Sequence, residues 1–206
     1  MVFPVVSMPP ASARMPAPMA RAPHPDPDAL SPQTRATLAG LPGNNVFLAL
    51  AHADAAFAPL MALTASLWND ADLTPRRREL AILRTARLLG SDYEWMHHVE
   101  VARMVGIAEA EIAAIDAGDL DAGGFAADDR LLLDAVPAIL ERRRTDDAAF
   151  AALRDAIGLR QVVELHLVVG LYATIAAVVA DLDVAPDARS GAFELEHGAR
   201  GPLLGG

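Results

Sequence analysis

The fold is decided by residues 73–115, LTPRRRELAILRTARLLGSDYEWMHHVEVARMVGIAEAEIAAI. Thr74 can cap a helix and Pro75 suits its first position, so this pair predicts a helix that runs to Gly90. Ser91 is the N-cap of a second helix, which is predicted to end at Gly106. Two apolar-striped helices joined by a tight turn predict an all-helical fold in which helix packs on helix.

Three ionisable residues fall where the helical period calls for apolar ones. The stripe of the first helix includes Ile82, and one turn back along the same face lies Glu79. The stripe of the second helix includes Val101, and the same step back leads to His98 and then Glu94. Because buried polar groups are costly without partners, their convergence in a core predicts a functional site.

The rest of the chain divides into an arm, a helical domain and a tail. Residues 1–34 are rich in Pro and Ala and predict a disordered arm, and residues 188–206 a Gly-rich tail. Residues 35–187 form the predicted domain. Its further helices are expected from Asn44 or Asn45 to Ala53, and at 55–68, 109–117, 128–144, 147–157 and 160–181. The last of these is apolar on all sides, which predicts burial in the core or in the interface of a homo-oligomer.

Composition excludes several classes of function. The chain has no cysteine, so a disulfide, a thiolate metal site and a redox-active thiol are excluded. The formal charge of −10 makes nucleic acid an unsuitable partner, and the triplets Arg76–Arg78 and Arg142–Arg144 are interpreted as solvated faces or ion-pair partners. The N-terminal residues lack the basic start of a signal peptide, and the apolar run 165–180 is short and polar for a membrane span. We therefore expect a soluble, cytoplasmic protein that contacts no membrane.

The 73–115 segment resembles the core of the carboxymuconolactone decarboxylase family, which includes the alkylhydroperoxidase D-like proteins. In the alkylhydroperoxidase branch this core carries a glutamate, a CxxC pair and a histidine that form a proton relay. Glu79 and His98 match the glutamate and the histidine, and Ser91 and Glu94 stand where the two cysteines would lie. The resemblance extends from NNVFLALAHA at 44–53 to VVELHLVVGLY at 162–172. It implies an alkylhydroperoxidase D-like helical bundle that assembles as a trimer or hexamer.

The missing cysteines determine which branch of the family is relevant. Without a thiol nucleophile, peroxidase activity by the family's route is not expected. The decarboxylase branch also lacks the cysteine pair, and the chain resembles it more closely in the SDYEW stretch. That resemblance implies a decarboxylase or lactone isomerase that needs no cofactor and acts on a small carboxylated substrate.

Candidate catalytic or binding roles are assigned to seven residues, and some of these have a structural alternative. Glu79, Glu94 and His98 are the candidate catalytic groups, although Glu79 could pair with an arginine and Glu94 could belong to a capping box with Ser91. Tyr93 and Trp95 are interpreted as packing residues, and His166 and Tyr172 are weaker candidates for pocket walls. The candidate substrate-binding residues are Ser91, His97, Arg84 and Arg87, the two arginines as anchors for a carboxylate.

Two further hypotheses remain open at the level of sequence. The chain could be a non-catalytic oligomeric binding or scaffold protein that kept the fold and lost the chemistry. A packed site with every polar atom paired would favour that hypothesis, and an open pocket would favour the enzyme. Glu94 and His98 also have the i, i+4 spacing of metal ligands, with Glu79 as a third, but no metal-site signature supports them, and no metal is predicted.

Overall fold

The computed structural model describes residues 21–142 and 144–187, and within these residues all regular structure is helical. Short 3₁₀ turns occupy Pro27–Ala29 and Leu120–Gly123. The α-helices in the described part of the chain are α1 Pro32–Ala39, α2 Asn45–Leu50, α3 Asp54–Asn69, α4 Pro75–Leu89, α5 Asp92–Met104, α6 Glu109–Ala117, α7 Ala127–Arg142 and α8 Asp147–Asp181. The all-helical fold predicted from the sequence is thereby confirmed.

Helix α4 is the centre of the bundle. It packs against α5, α6, α7 and α8. Leu80, Ala81, Ile82 and Leu83 on this helix are fully buried, as is the carboxylate residue Glu79. Since α4 is covered on nearly every side, any polar residue on its inner face must find its partners within the protein.

The ends of α4 follow from local sequence. Thr74 Oγ1 accepts a hydrogen bond from Arg77 N at 3.3 Å, and Pro75 occupies the first turn. At the other end Gly90 takes the left-handed conformation, with φ +65°, that favours glycine. Just before the helix, the buried Glu164 carboxylate accepts from Leu73 N at 2.7 Å, which attaches the start of α4 to α8.

Helix α8 contains the two last helices predicted from the sequence, separated at Gly158. This glycine has φ +84° and ψ 153°, which is non-helical, so the axis is interrupted there. By length and composition α8 could cross a bilayer, but 56% of its most apolar window is buried inside the protein. That degree of burial is typical of a core helix in a soluble protein.

The folded part of the chain begins earlier than predicted. Residues 21–34, assigned to the arm, contain the first 3₁₀ turn and the start of α1, and Leu30 is buried. Ser31 N donates to Asp54 Oδ1 at 2.9 Å and Thr34 Oγ1 to Asp54 O at 3.0 Å, so this segment is attached to α3. Ser31-Pro32 is a cap followed by proline, the same signal as Thr74-Pro75. Residues 1–20 and 188–206, the remainder of the predicted arm and the tail, lie outside the described residues.

The arginine triplet at the start of α4 divides into two kinds of residue. Arg76 pairs with Glu111 at 2.5 Å and with Asp129 at 2.9 Å, and Arg77 pairs with Asp128 at 3.2 Å. These pairs connect α4 to α6 and α7, as the ion-pair interpretation predicts. Arg78 differs, because it is buried and turned toward the interior.

The exposed face of α8 supports the predicted homo-oligomer. Leu159, Val163 and Leu167 are 57%, 52% and 44% exposed and recur every four residues along one side of the helix. An apolar stripe of this kind is typical of an interface. We predict that the protein is a stable oligomer at micromolar concentration and that L167E dissociates it, because the substitution places a charge in the apolar contact. Sedimentation velocity measures this.

The matched control is Ala113→Glu, which adds the same charge at an exposed position on α6. It should leave the assembly unchanged. A wild-type protein that sediments as a monomer would contradict the prediction.

Candidate active site

Glu79 forms the base of the candidate site. Its side chain is 0% exposed, and its carboxylate is hydrogen-bonded to His98 and Arg78. His98 Nδ1 lies 2.7 Å from Glu79 Oε2, and Arg78 Nε lies 3.3 Å from Glu79 Oε1. Arg78 is held in turn by Trp68, since it donates to the Trp68 carbonyl at 3.1 Å and stacks 4.0 Å above the indole ring. These contacts compensate the cost of burying the carboxylate.

The His98 ring lies between Glu79 and an internal cavity. Its Nδ1 faces Glu79, its Nε2 lies 3.8 Å from Glu94 Oε2, and its ring meets the edge of Tyr172 at 4.9 Å between centroids. Burial alone would lower the pKa of His98, but the Glu79 carboxylate more than offsets this and the pKa is raised. The imidazole of His98 therefore holds its second proton more strongly than a free histidine side chain does.

Glu94 is the second carboxyl group of the site. It is buried on α5 one turn before His98, and burial raises its pKa although the charge of His98 opposes the shift. The capping alternative holds only for Ser91, whose Oγ accepts from Glu94 N at 3.4 Å. The Glu94 carboxyl does not reach back to Ser91, because it faces a cavity.

This cavity has a volume of about 110 Å³ and lies between α2, α3, α5 and α8. Glu94, His97 and His98 line one side of it. Most of the remaining wall is aromatic or aliphatic and includes Phe47, Leu50, Met61, Trp68, Tyr172 and Ile175. Carboxyl and imidazole groups thus face an apolar space large enough for a small molecule.

A second polar cluster borders the same cavity. His97 Nε2 donates to Asp187 Oδ2 at 3.0 Å, and Asn44 Nδ2 donates to His97 Nδ1 at 3.3 Å. Tyr93 also donates to Asp187 through its hydroxyl. Burial lowers the pKa of His97, and the negative charge of Asp187 opposes the shift only in part. Tyr93 is therefore more than a packing residue, and Asp187 has no counterpart in the sequence-based prediction.

Three predicted substrate-binding residues lie away from the cavity. Arg87 stacks 3.8 Å from the ring of Trp95 and pairs with Asp92 and Asp116 on the surface. Arg84 is five residues after Glu79, which turns it about 140° away from the site. Ser91 is used as a helix cap. Neither arginine lines the cavity, because Arg78 and Glu79 are the residues that α4 directs toward the site.

Of the two other candidates for pocket walls, Tyr172 and His166, only the first lines the cavity. Tyr172 lines the cavity and contacts His98. His166, about one and two-thirds turns earlier on α8, instead bonds through Nδ1 to the Val162 carbonyl at 2.8 Å. The helical period explains the difference, because residues six positions apart on an α-helix point about 120° away from each other.

The two glutamates are placed on opposite nitrogens of His98. Glu79 bonds Nδ1 and Glu94 faces Nε2, so a single metal ion cannot contact all three side chains. Within residues 21–142 and 144–187 no group of three His, Asp or Glu side chains is arranged to hold a metal. The three side chains instead form a line from Glu79 through His98 to Glu94, which ends at the cavity.

A segment of the helical core matches a known protein family. Residues 54–133 match the Carboxymuconolactone decarboxylase family. No curated protein matches the chain significantly.

Solved structures share the fold over most of the chain. An uncharacterised peroxidase-related protein with an alkylhydroperoxidase core, from Ralstonia eutropha, has a TM-score of 0.70 at 22% identity, covering 84% of this chain and 95% of its own. An uncharacterised peroxidase-related protein from a Silicibacter species has a TM-score of 0.71 at 17% identity, covering 85% and 95%. A protein of unknown function from Agrobacterium tumefaciens has a TM-score of 0.59 at 24% identity, covering 68% and 96%. At these identities the likeness shows the fold alone.

The buried Glu94 carboxyl predicts a specific pH dependence of stability. Its folded pKa is raised above the ordinary value of 4.5, so the stability it contributes is complete below that pH and is lost as pH rises toward the folded pKa. We expect the free energy of unfolding of wild type, relative to E94Q, to fall with rising pH by about 1.4 kcal/mol for each unit of the shift. Urea unfolding from about pH 4 to pH 8 measures this.

The exposed Glu141 supplies the control, E141Q, which should follow wild type at every pH. If the difference between wild type and E94Q stays constant with pH, the raised pKa is contradicted.

Proposed function

We propose that this protein is a cofactor-independent acid/base enzyme, because residues 54–133 match the Carboxymuconolactone decarboxylase family. The proposed reaction is decarboxylation or isomerisation of a small carboxylated lactone or a related enolisable acid. The observation that supports it best is the line of groups from Glu79 through His98 to Glu94, which ends at an apolar cavity.

The proposed chemistry needs one proton donor and one relay. Decarboxylation breaks the bond between the substrate and its carboxylate, releases CO₂ and leaves the electron pair on the substrate as an enolate. Glu94, whose raised pKa favours the neutral carboxyl, donates its proton to the carbon that carries these electrons. His98, held by Glu79, then returns a proton to Glu94 and regains one from water. In an isomerase the same groups would remove and replace a substrate proton.

The charge of the site suits a monoanionic substrate. With Glu94 neutral and His98 protonated, Arg78 and His98 carry two positive charges and Glu79 carries one negative charge, which leaves one net positive charge. A bound carboxylate or enolate would neutralise it. Arg78 thus takes the electrostatic part first assigned to Arg84 and Arg87. It acts from behind Glu79 and does not line the cavity.

The cavity limits the size of the substrate. Its volume of about 110 Å³ is smaller than the roughly 150 Å³ of a protein cavity that holds benzene. The proposed class is therefore a substrate no larger than a single small ring, with any substituent extending beyond the cavity. The wall formed by Trp68, Phe47 and Met61 would exclude water from the reacting atoms and strengthen the electrostatic effect of His98.

The alternatives are less well supported. Thiol peroxidase chemistry has no nucleophile, because the chain contains no cysteine. A non-catalytic scaffold would have a packed site, whereas Glu94 and His98 face a cavity. The proposed enzyme is a cytoplasmic homo-oligomer, a trimer or hexamer, that binds a small carboxylated molecule.

The relay is tested with carboxymuconolactone in D₂O. Both decarboxylation and isomerisation place a solvent-derived deuteron on carbon, so proton NMR and CO₂ release together detect either reaction. We expect H98Q and E79Q to lower turnover by roughly 10²–10⁴-fold, the usual contribution of a positioned acid or base. Thermal unfolding of H98Q should stay cooperative, because glutamine keeps part of the hydrogen bonding.

H52Q is the matched control, since His52 is exposed on the turn after α2 and should not affect turnover. Unchanged turnover in H98Q would eliminate the relay. If wild type neither releases CO₂ nor incorporates deuterium with this compound or related small lactone acids, the proposed activity is wrong.

A further inference from the structure

Helix α2 forms one wall of the cavity but has little stability of its own. It contains only six residues, Asn45–Leu50, and helices this short do not persist without tertiary contacts. Val46, Phe47 and Leu50 on this helix line the cavity. Whatever holds α2 in place therefore determines whether the cavity is closed on that side.

The N-terminus of α2 is not capped by its own N-cap residue. The Asn44 side chain makes no capping hydrogen bond, and its Nδ2 donates to His97 Nδ1. The first backbone N–H groups of a helix need acceptors from elsewhere. Here Asn45 N donates to Asp187 Oδ1 at 2.9 Å, and Val46 N donates to the Tyr93 hydroxyl at 3.1 Å.

Asp187 is one of these two acceptors and is hydrogen-bonded to the other, Tyr93, on α5. Its Oδ2 accepts from the Tyr93 hydroxyl and, at 3.0 Å, from His97 Nε2. One carboxylate after the end of α8 thus joins the start of α2 to two cavity-lining residues of α5. A second bond, from Asn45 Nδ2 to the Ala185 carbonyl at 3.0 Å, attaches the same segment to α2.

We propose that Asp187 is a positioning residue that holds α2 closed over the cavity and fixes the orientation of His97. It does not line the cavity itself, and it acts through Asn45, Tyr93 and His97. Without the carboxylate, Asn45 N, the Tyr93 hydroxyl and His97 Nε2 lose the acceptor that Asp187 supplies. The α2 wall of the cavity then opens. This inference concerns access to the cavity and holds whether or not the proposed reaction is correct.

The two tryptophans allow a direct test. Trp68 lines the cavity, whereas Trp95 lies outside it against Arg87. In a Trp95→Phe background, quenching of fluorescence by acrylamide reports on access to Trp68 alone. We expect D187N in this background to raise the quenching constant of Trp68 and to lower the hydrogen-exchange protection of the Val46 amide by about tenfold or more.

Asp183→Asn is the matched control. Asp183 is exposed four residues earlier, and its positive φ of +52° is one that asparagine tolerates well. Quenching and exchange in D183N should equal those of the Trp95→Phe parent. Amides of α4 should keep their protection in D187N, which separates local opening of α2 from general destabilisation.

Three results would overturn the proposal. They are unchanged quenching and exchange in D187N, an equal change in D183N, or loss of protection in α4 as large as that at Val46. Should D187N not fold, Tyr93→Phe decides by the same two measurements, because it removes the acceptor of Val46 N and keeps the ring. Increased access to Trp68 in Y93F supports the proposal, and unchanged access contradicts it.

Discussion

A carboxylate with no exposure to solvent is the constraint on which this structure depends. Glu79 is 0% exposed at the centre of the most enclosed helix, and such a group is stable only with charged partners in good geometry. Arg78 supplies one partner from the same helix and His98 supplies the other from α5, at 2.7 Å. The pairing fixes how α4 and α5 face each other, because a shift of either helix along its axis would separate the carboxylate from the imidazole. The pairing also determines the position of the cavity, because His98 is one of its lining residues.

The same constraint gives the two nitrogens of the His98 ring different surroundings. Nδ1 is committed to Glu79, which leaves Nε2 facing Glu94 and the cavity. The apolar wall in front of Glu94 removes solvent from the carboxyl and raises its pKa, while the cation behind it acts in the opposite direction. Two carboxyl groups on one imidazole therefore have different environments. One is paired and fully buried, and the other faces the cavity, which is how a protein can keep one group as an anchor and the other as a proton donor.

The sequence predicts this polar core well and its surroundings poorly. The helix pair follows from Thr74-Pro75 and Gly90, and Glu79, Glu94 and His98 are identified by interrupted apolar stripes, because periodicity is a local property. The sequence does not separate Arg78 from its two neighbours, since three adjacent arginines give no sign of which one is buried. Arg84 and Arg87 lie near Glu79 in the sequence but not beside the cavity, because the helical phase of α4 turns them away from it. Asp187 could not be found, since its partner Asn45 is 142 residues away and the segment around it has no period.

This contrast explains why the substrate is harder to infer than the chemistry. The groups proposed to transfer protons all lie within residues 73–115, where consecutive helices meet across one turn, and the local sequence pattern predicts them. The cavity wall comes from α2, α3 and α8, which meet only in the folded protein. It depends on contacts such as Asp187 to Asn45 and Glu164 to Leu73, each spanning most of the folded domain or about half of it. A change in α2 or in the segment after α8 could therefore alter which molecule fits without touching Glu79, Glu94 or His98.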